Sequence, residues 1–202
     1  MFAFSNLAAL INYCATFAVT FLLSLYLQHV KMMTPSQTGL ILLVEPLLQA
    51  LFSPLAGRLS DRYEPRIISS IGMILTVVGL FGLIFISATT SIHYILACLV
   101  LLGTGFAFFS SPNVNAIMSS VENKFYGIAS ATQATMRLVG QMLSMGIAML
   151  VFAWFIGDRS ITHENGNLFI MSAKIIFGIL TVTCLAGVGA SLARGRVHQN
   201  NL

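Results

Sequence analysis

The sequence predicts an all-α, integral membrane six-helix bundle, and three observations carry that prediction. The chain of 202 residues is 57% hydrophobic and only 8% charged, against roughly 25% charged residues in soluble domains. Its mean hydropathy is +0.89. Its few charges gather in short stretches between apolar runs, each close to the ~20 residues that a helix needs to cross the hydrocarbon core. The first two observations exclude a soluble globular fold. The third excludes a transmembrane barrel, whose segments of about ten residues alternate polar and apolar. The formal charge of +4 leaves no basic face for nucleic acid once the membrane loops have taken their share.

The whole chain, residues 1–202, reads as one transmembrane domain with six spans. The ruler of membrane thickness places them at about Phe4–Gln28, Thr38–Gly57, Ile67–Ser87, Ile92–Ser111, Ile128–Gly157 and Leu168–Leu192. The first run is too long for a signal peptide and has neither a basic leader nor an Ala-x-Ala site, so it stays as a span. Thr34 is placed to cap the second span, with Pro35 and Ser36 opening it. Pro46 and Pro54 interrupt that span and Pro112 interrupts the fourth, as packing kinks or as hinges. The fourth span is expected to continue in broken form towards Ser120. Glycines at 103, 105, 140, 146, 178, 187 and 189 allow close helix approach. The loops are short, so consecutive spans are expected to be antiparallel neighbours.

Lys and Arg set the orientation. Arg58, Arg62, Arg66, Lys124, Arg194 and Arg196 fall on one side, and Lys31 and Arg159 on the other. The positive-inside rule therefore puts both termini and the 58–66 and 121–127 loops in the cytoplasm. The expected location is the cell (plasma or inner) membrane, with the lipid bilayer as the chain's solvent.

Ionisable side chains within a bilayer cost about 2.5–3.5 kcal/mol each on the insertion scale, and three stand inside spans. Glu45 lies about 9 Å below the outer face at 1.5 Å per residue. A carboxylate there suits proton binding and release or a cationic substrate, or else pairs structurally near the interface. Arg137 lies near mid-membrane, where a guanidinium cannot shed its charge and must face a carboxylate, carbonyls or a water-filled cavity. Gln141 follows one turn on and Gln133 precedes it, forming a polar stripe. Glu45 and Arg137 lie at similar depth, so a direct or water-bridged pair follows if their spans adjoin. Lys174 is expected to snorkel outwards.

Asn12, Gln49, Asn113 and Asn115 are neutral polar groups in or near spans, suited to hydrogen-bonding helices together or, for Asn113 beside Pro112, to lining a cavity. Tyr26 and Trp154 fit the aromatic belt. Cys14, Cys98 and Cys184 lie deep in apolar runs, without metal-like spacing. His-Glu-x-x-His, Gly-x-Ser-x-Gly, phosphate-loop and dinucleotide signatures are all missing. An enzyme is not expected, nor a cofactor or metal.

The stretch Gly57-Arg58-Leu59-Ser60-Asp61-Arg62, with Arg66 behind it, resembles the Gly-x-Leu-x-Asp-Arg loop motif of the major facilitator superfamily. In that family the loop is cytoplasmic and joins the second and third helices of a six-helix half. Leu25-Tyr26-Leu27-Gln28 followed by Gly39, and Gly103-Thr104-Gly105 through Pro112-Asn113 to Gly127-x-Ala129-Ser130-Ala131, with Arg137 and Gly140 beyond, are similar to the second half of the fourteen-span drug:proton antiporter branch. The resemblance covers nearly the whole chain, although Glu64 stands where the loop motif usually has Gly.

The resemblance implies half of a major facilitator fold, matching the C-terminal six helices, with spans one and four lining a cavity. Spans two and five would flank the other half, an N-terminal unit of six or eight spans or a second copy. It further implies a proton-coupled antiporter that exports small drug-like compounds by alternating access, present here as a half-length or truncated chain. Glu45, Arg137, Gln141, Asn113 and Asn12 are its coupling candidates, and Gly57, Asp61, Arg62 and Arg66 its cytoplasmic gate. The alternative is a non-transporting interaction or regulatory subunit, or a non-functional fragment.

Overall fold

The computed structural model describes residues 2–155, 157 and 166–192. Arg159, Arg194 and Arg196, which bear on the orientation, lie outside the described residues. Among the described residues all regular structure is helical, and six helical spans are long and apolar enough to cross a membrane. Helix α1 covers Phe2–Leu25 and runs on as a π-helical turn over Tyr26–Val30. Then come α2 (Pro35–Leu42), α3 (Val44–Arg62), α4 (Pro65–Leu83), α5 (Ile92–Met118), α6 (Tyr126–Phe155) and α7 (Gly166–Leu192). A 3-10 turn at Asn123–Phe125 leads into α6.

The second span shows how its boundaries arise. Thr34 and Gln37 form a reciprocal capping box: the Thr34 hydroxyl accepts from the Gln37 N–H at 3.3 Å, and Gln37 Oε1 accepts from the Thr34 N–H at 3.1 Å. Pro35 fills the first helical position, where its missing N–H costs nothing. Pro46 brings no N–H to the Leu42 carbonyl, and the helical bonding is interrupted for the one residue Leu43, which keeps helical dihedrals and divides the span into α2 and α3. Pro54 and Pro112, expected to interrupt their spans, instead sit inside continuous helices. The fourth span is therefore unbroken as far as Met118, and Asn113 is not at a helix break.

Helix α3 reaches Arg62, beyond the expected end at Gly57, so Gly57, Asp61 and Arg62 are helical residues rather than loop residues. The connection shrinks to Tyr63 and Glu64. Pro65 pushes Glu64 out of the helical region and opens α4, whose first turn holds Arg66. The third span ends earlier than expected, at Leu83, because a turn takes over through Ser87.

Short loops make consecutive spans close neighbours only in part: the third and fourth spans form the most extensive pairing, and the other large ones join spans apart in sequence. Helix α5 packs against α3 and α4, α1 against α6 and α7, and α4 against α7, whereas α3 and α4 barely touch. In a bilayer lipid tails are as apolar as Leu, so close packing of small residues holds helices together. A Cβ at Gly72 would lie 2.6 Å from the Gly105 carbonyl oxygen, and one at Gly140 would lie 2.5 Å from that of Leu10. Gly103 and Gly187 are equally crowded, while Gly146, Gly178 and Gly189, expected to do the same, face open space. On α6 the buried stripe Gly140, Ser144, Ala148, Phe152 recurs every four residues, and the Ser144 hydroxyl accepts from the Ala18 backbone N–H at 2.9 Å.

The core is built mainly from α1, α4, α5 and α7. Spans two and five are left largely outside it. On α2 and α3 only Thr38, Ala56 and Ser60 are buried, and Trp154 on α6 is 88% exposed. Tyr26, expected in the interfacial belt, is instead fully buried, and its hydroxyl donates to the Ser87 carbonyl at 2.6 Å.

Candidate functional site

Because spans two and five do not pack together, a cavity of about 630 Å³ opens between them over α1 and α5. Helix α1 gives it two parallel stripes, one of Thr16, Thr20 and Ser24, the other of Tyr13, Phe17 and Phe21. Each stripe steps by four residues, close to one helical turn. The second span adds Leu42, Glu45 and Gln49, α5 adds Phe106 and Ser110, and α6 adds Arg137, Gln141 and Met145. The cavity thus combines aromatic faces with one carboxyl, one guanidinium, two amides and four side-chain hydroxyls besides that of Tyr13.

Glu45 owes its place to Gly103. With no side chain at 103, the Glu45 backbone lies directly on α5: a Cβ there would come 2.5 Å from the Glu45 carbonyl oxygen and 3.1 Å from its Cα. The carboxyl is half-buried and hydrogen-bonds with the Thr20 side chain on α1. Gln49 follows one turn further along the same face.

On the opposite wall, Gly140 lets α6 settle on α1, with a Cβ there only 3.0 Å from that of Tyr13. One turn earlier, the Arg137 guanidinium carbon stands 5.4 Å from the centroid of the Tyr13 ring. That distance is within cation–π range. The Tyr13 ring in turn meets Phe106 edge-on at 5.4 Å. Glu45 and Arg137 share the cavity without an ion pair between them. Two unlike charges on separate walls can each hold a different part of a ligand or, for the carboxyl, a proton.

The structure thus brings Glu45, Arg137 and Gln141 together and leaves Asn12 and Asn113 outside the cavity lining. Asn113 is buried and donates to the Ser5 carbonyl at 3.2 Å, tying α5 to α1. Asn12 is fully buried, and neither amide atom has a hydrogen-bond partner among the described residues. Gln133 also falls outside the lining, and Lys174 is half-buried on α7. Residue-by-residue reading singled out the ionisable groups and passed over the hydroxyls of Thr16, Thr20, Ser24 and Ser110. Their signal was present, since Thr16, Thr20 and Ser24 repeat at helical spacing beside an aromatic stripe.

At the far end of α3, Arg58, Asp61 and Arg62 border a separate hollow of about 340 Å³ with Leu55 and Leu59. Asp61 and Arg62 are exposed. Gly57 is close to α5, where a Cβ would come 3.0 Å from the Ser111 hydroxyl. Ser60 donates to the Gly57 carbonyl at 2.7 Å and accepts from Asn115 Nδ2 at 2.7 Å, which fastens this helix end to α5. Arg66 does not border the hollow.

Comparison with known proteins bears on this architecture. The family model described as Major Facilitator Superfamily matches residues 6–199. The chain is 26% identical over 187 residues to the riboflavin transporter RibZ of Clostridioides difficile (strain 630), covering 93% of this chain and 41% of that protein. It is 31% identical over 196 residues to the uncharacterized transporter YebQ of Escherichia coli (strain K12), covering 97% of this chain and 41% of the relative. Against the lincomycin resistance protein LmrB of Listeria monocytogenes serovar 1/2a (strain ATCC BAA-679 / EGD-e) it is 29% identical over 153 residues, or 76% of this chain and 32% of that one. The chain therefore spans about two fifths of the length of the first two relatives. With its six apolar helices it is a multi-pass protein of the cell membrane, and it belongs to the Major Facilitator Superfamily.

Proposed function

We propose that this chain is the six-helix half of a secondary active transporter that exports small organic compounds in exchange for protons by alternating access. The single observation that supports the reading best is the shared cavity, where Glu45, held by Thr20, and Arg137, held over Tyr13, occupy opposite walls at membrane depth. The aromatic faces of Tyr13, Phe17, Phe21 and Phe106 suit a flat, largely apolar compound. Arg137, Gln141 and Gln49 suit its polar edge. Glu45 is the exchangeable proton site, because a carboxyl at that depth can work in both its charged and neutral forms.

In this reading both termini face the cytoplasm. The end of α3 acts as a gate, with Gly57 setting its closeness to α5, and Asp61 and Arg62 making and breaking contacts with the other half as the halves rock. Arg66 supports that end from α4. The other wall of the cavity comes from an N-terminal half or from a second copy.

A reading in which Glu45 and Arg137 pair to hold a passive bundle together has no ion pair to support it. The test is efflux of riboflavin and lincomycin from vesicles carrying the chain joined to the rest of a transporter of its relatives' length. Efflux that follows an imposed proton gradient and is lost in Arg137→Gln supports the proposal. Efflux indifferent to the gradient overturns it.

A further inference from the structure

Glu45 borders more than the central cavity. A second hollow of about 340 Å³ lies at the break of the second span, lined by Gly39, Leu43 and Pro46 together with Thr20, Leu42, Glu45 and Gln49. The two hollows share those last four residues, so the carboxyl stands where they adjoin.

They differ in chemistry. The central cavity carries four aromatic rings and the Arg137 guanidinium. The second hollow carries neither, and Glu45 is the one charged group that borders it. Its polar content is the Thr20 hydroxyl, the Gln49 amide, the Glu45 carboxyl and Leu42, whose carbonyl Pro46 leaves without its helical donor. A buried water needs two to four polar partners and takes about 30 Å³ of liquid volume. The hollow meets both conditions for several waters, and it offers no ring surface for an organic compound. Gly39 is exposed, and a Cβ there would meet nothing within 4 Å, so no described residue of this chain closes that side. The titratable and charged groups facing Glu45 from the other side, across the central cavity, are Arg137 and Tyr13.

We propose that Glu45 is served by two separate routes, organic substrate arriving through the central cavity and water and protons arriving through the groove at the break between α2 and α3. The break in the span then has a purpose beyond packing. It admits water to the carboxyl from a direction the substrate does not occupy, so a proton can leave or arrive while the cavity is filled. The proposal rests on the reading that Glu45 exchanges protons.

The test uses Gly39→Cys in the chain joined to the rest of a transporter of its relatives' length, in liposomes. The three native cysteines are buried and serve as the unreactive background. Glu45 is modified with a water-soluble carbodiimide and an amine, and the rate is followed by mass spectrometry before and after a bulky methanethiosulfonate is attached at position 39. The expected result is that attachment slows modification of Glu45 at least several-fold, while saturating riboflavin in the central cavity does not. An unchanged rate after attachment overturns the second route and leaves Glu45 as a proton site. A thiol at position 39 that fails to react shows the groove to be covered and also overturns the route. No modification of Glu45 in the unsubstituted chain overturns the reading of Glu45 as a proton site, and the route with it.

Discussion

The backbone of Glu45 rests on Gly103, with no room between them for even a methyl group: a Cβ at 103 would stand 2.5 Å from the Glu45 carbonyl oxygen. The obstructing atoms are backbone, so no rotamer change relieves the clash. Gly103→Ala should therefore push α3 off α5, with a stability loss in the range of about 1–3 kcal/mol for overpacking and a marked fall in transport. Gly146→Ala, where nothing lies within 4 Å, should leave both unchanged. Thermal unfolding in detergent and vesicle efflux check the pair.

Arg137 and Tyr13 make a second such contact, on the opposite wall. Tyr13→Phe keeps the ring beneath the guanidinium and should preserve transport. Tyr13→Leu removes it, and the apparent substrate affinity should weaken by the few-fold that a contact of about 0.5–1 kcal/mol supports. Arg137→Gln should abolish transport while the protein still inserts. Efflux kinetics on the three variants separate packing from charge.

Thr20 reaches Glu45 across the boundary between α1 and α3. Thr20→Val removes the hydroxyl and should loosen the link between substrate and proton movement, raising proton leak without substrate. Thr20→Ser keeps the hydroxyl and should behave as the parent. Equal leak in both variants would show that the hydroxyl has no part in coupling.

At the end of α3, Asp61 and Arg62 lie far along the helix from the cavity and border none of it. Asp61→Asn and Arg62→Gln should lower the maximal rate of transport and leave the KM for substrate nearly unchanged, as expected for a step that moves the halves without touching the ligand. A raised KM at unchanged rate would contradict a gating role.

The two buried asparagines separate glue from vacancy. Asn113→Ala removes a bond to the Ser5 carbonyl and should cost about 0.5–1.5 kcal/mol, the net worth of one hydrogen bond. Asn12→Ala discards an amide with no partner among the described residues and should cost distinctly less. Thermal unfolding of the two variants side by side decides it.

The bundle was legible in the sequence because the bilayer leaves few choices. Length and apolarity alone required six helices, and the bounds miss expectation at the span ends: α5 runs on through Pro112 to Met118, α3 runs on to Arg62, and α4 stops at Leu83. Pro112 does not break α5, whereas Pro46 interrupts the second span, and local sequence does not tell the two apart. Which spans touch was not legible, since glycines choose neighbours by fitting a particular partner. Gly140 meets α1, while Gly146 on the same helix meets nothing. In the cavity, Glu45 and Arg137 announced themselves through the cost of charge at depth. Thr20 did not, because a hydroxyl in a membrane helix satisfies itself on its own backbone as readily as it serves a site, as Thr16 does with the Asn12 carbonyl at 2.9 Å.

The most direct measurement of the central claim is proton movement during transport, with and without the Glu45 carboxyl. The chain, joined to the rest of a transporter of its relatives' length, is placed in liposomes holding a pH-sensitive dye, and riboflavin or lincomycin is added. The account predicts that each compound moves protons the opposite way, and that Glu45→Gln abolishes the proton signal while the compounds still bind. A Glu45→Gln protein that exchanges substrate for protons at the parent rate would contradict it.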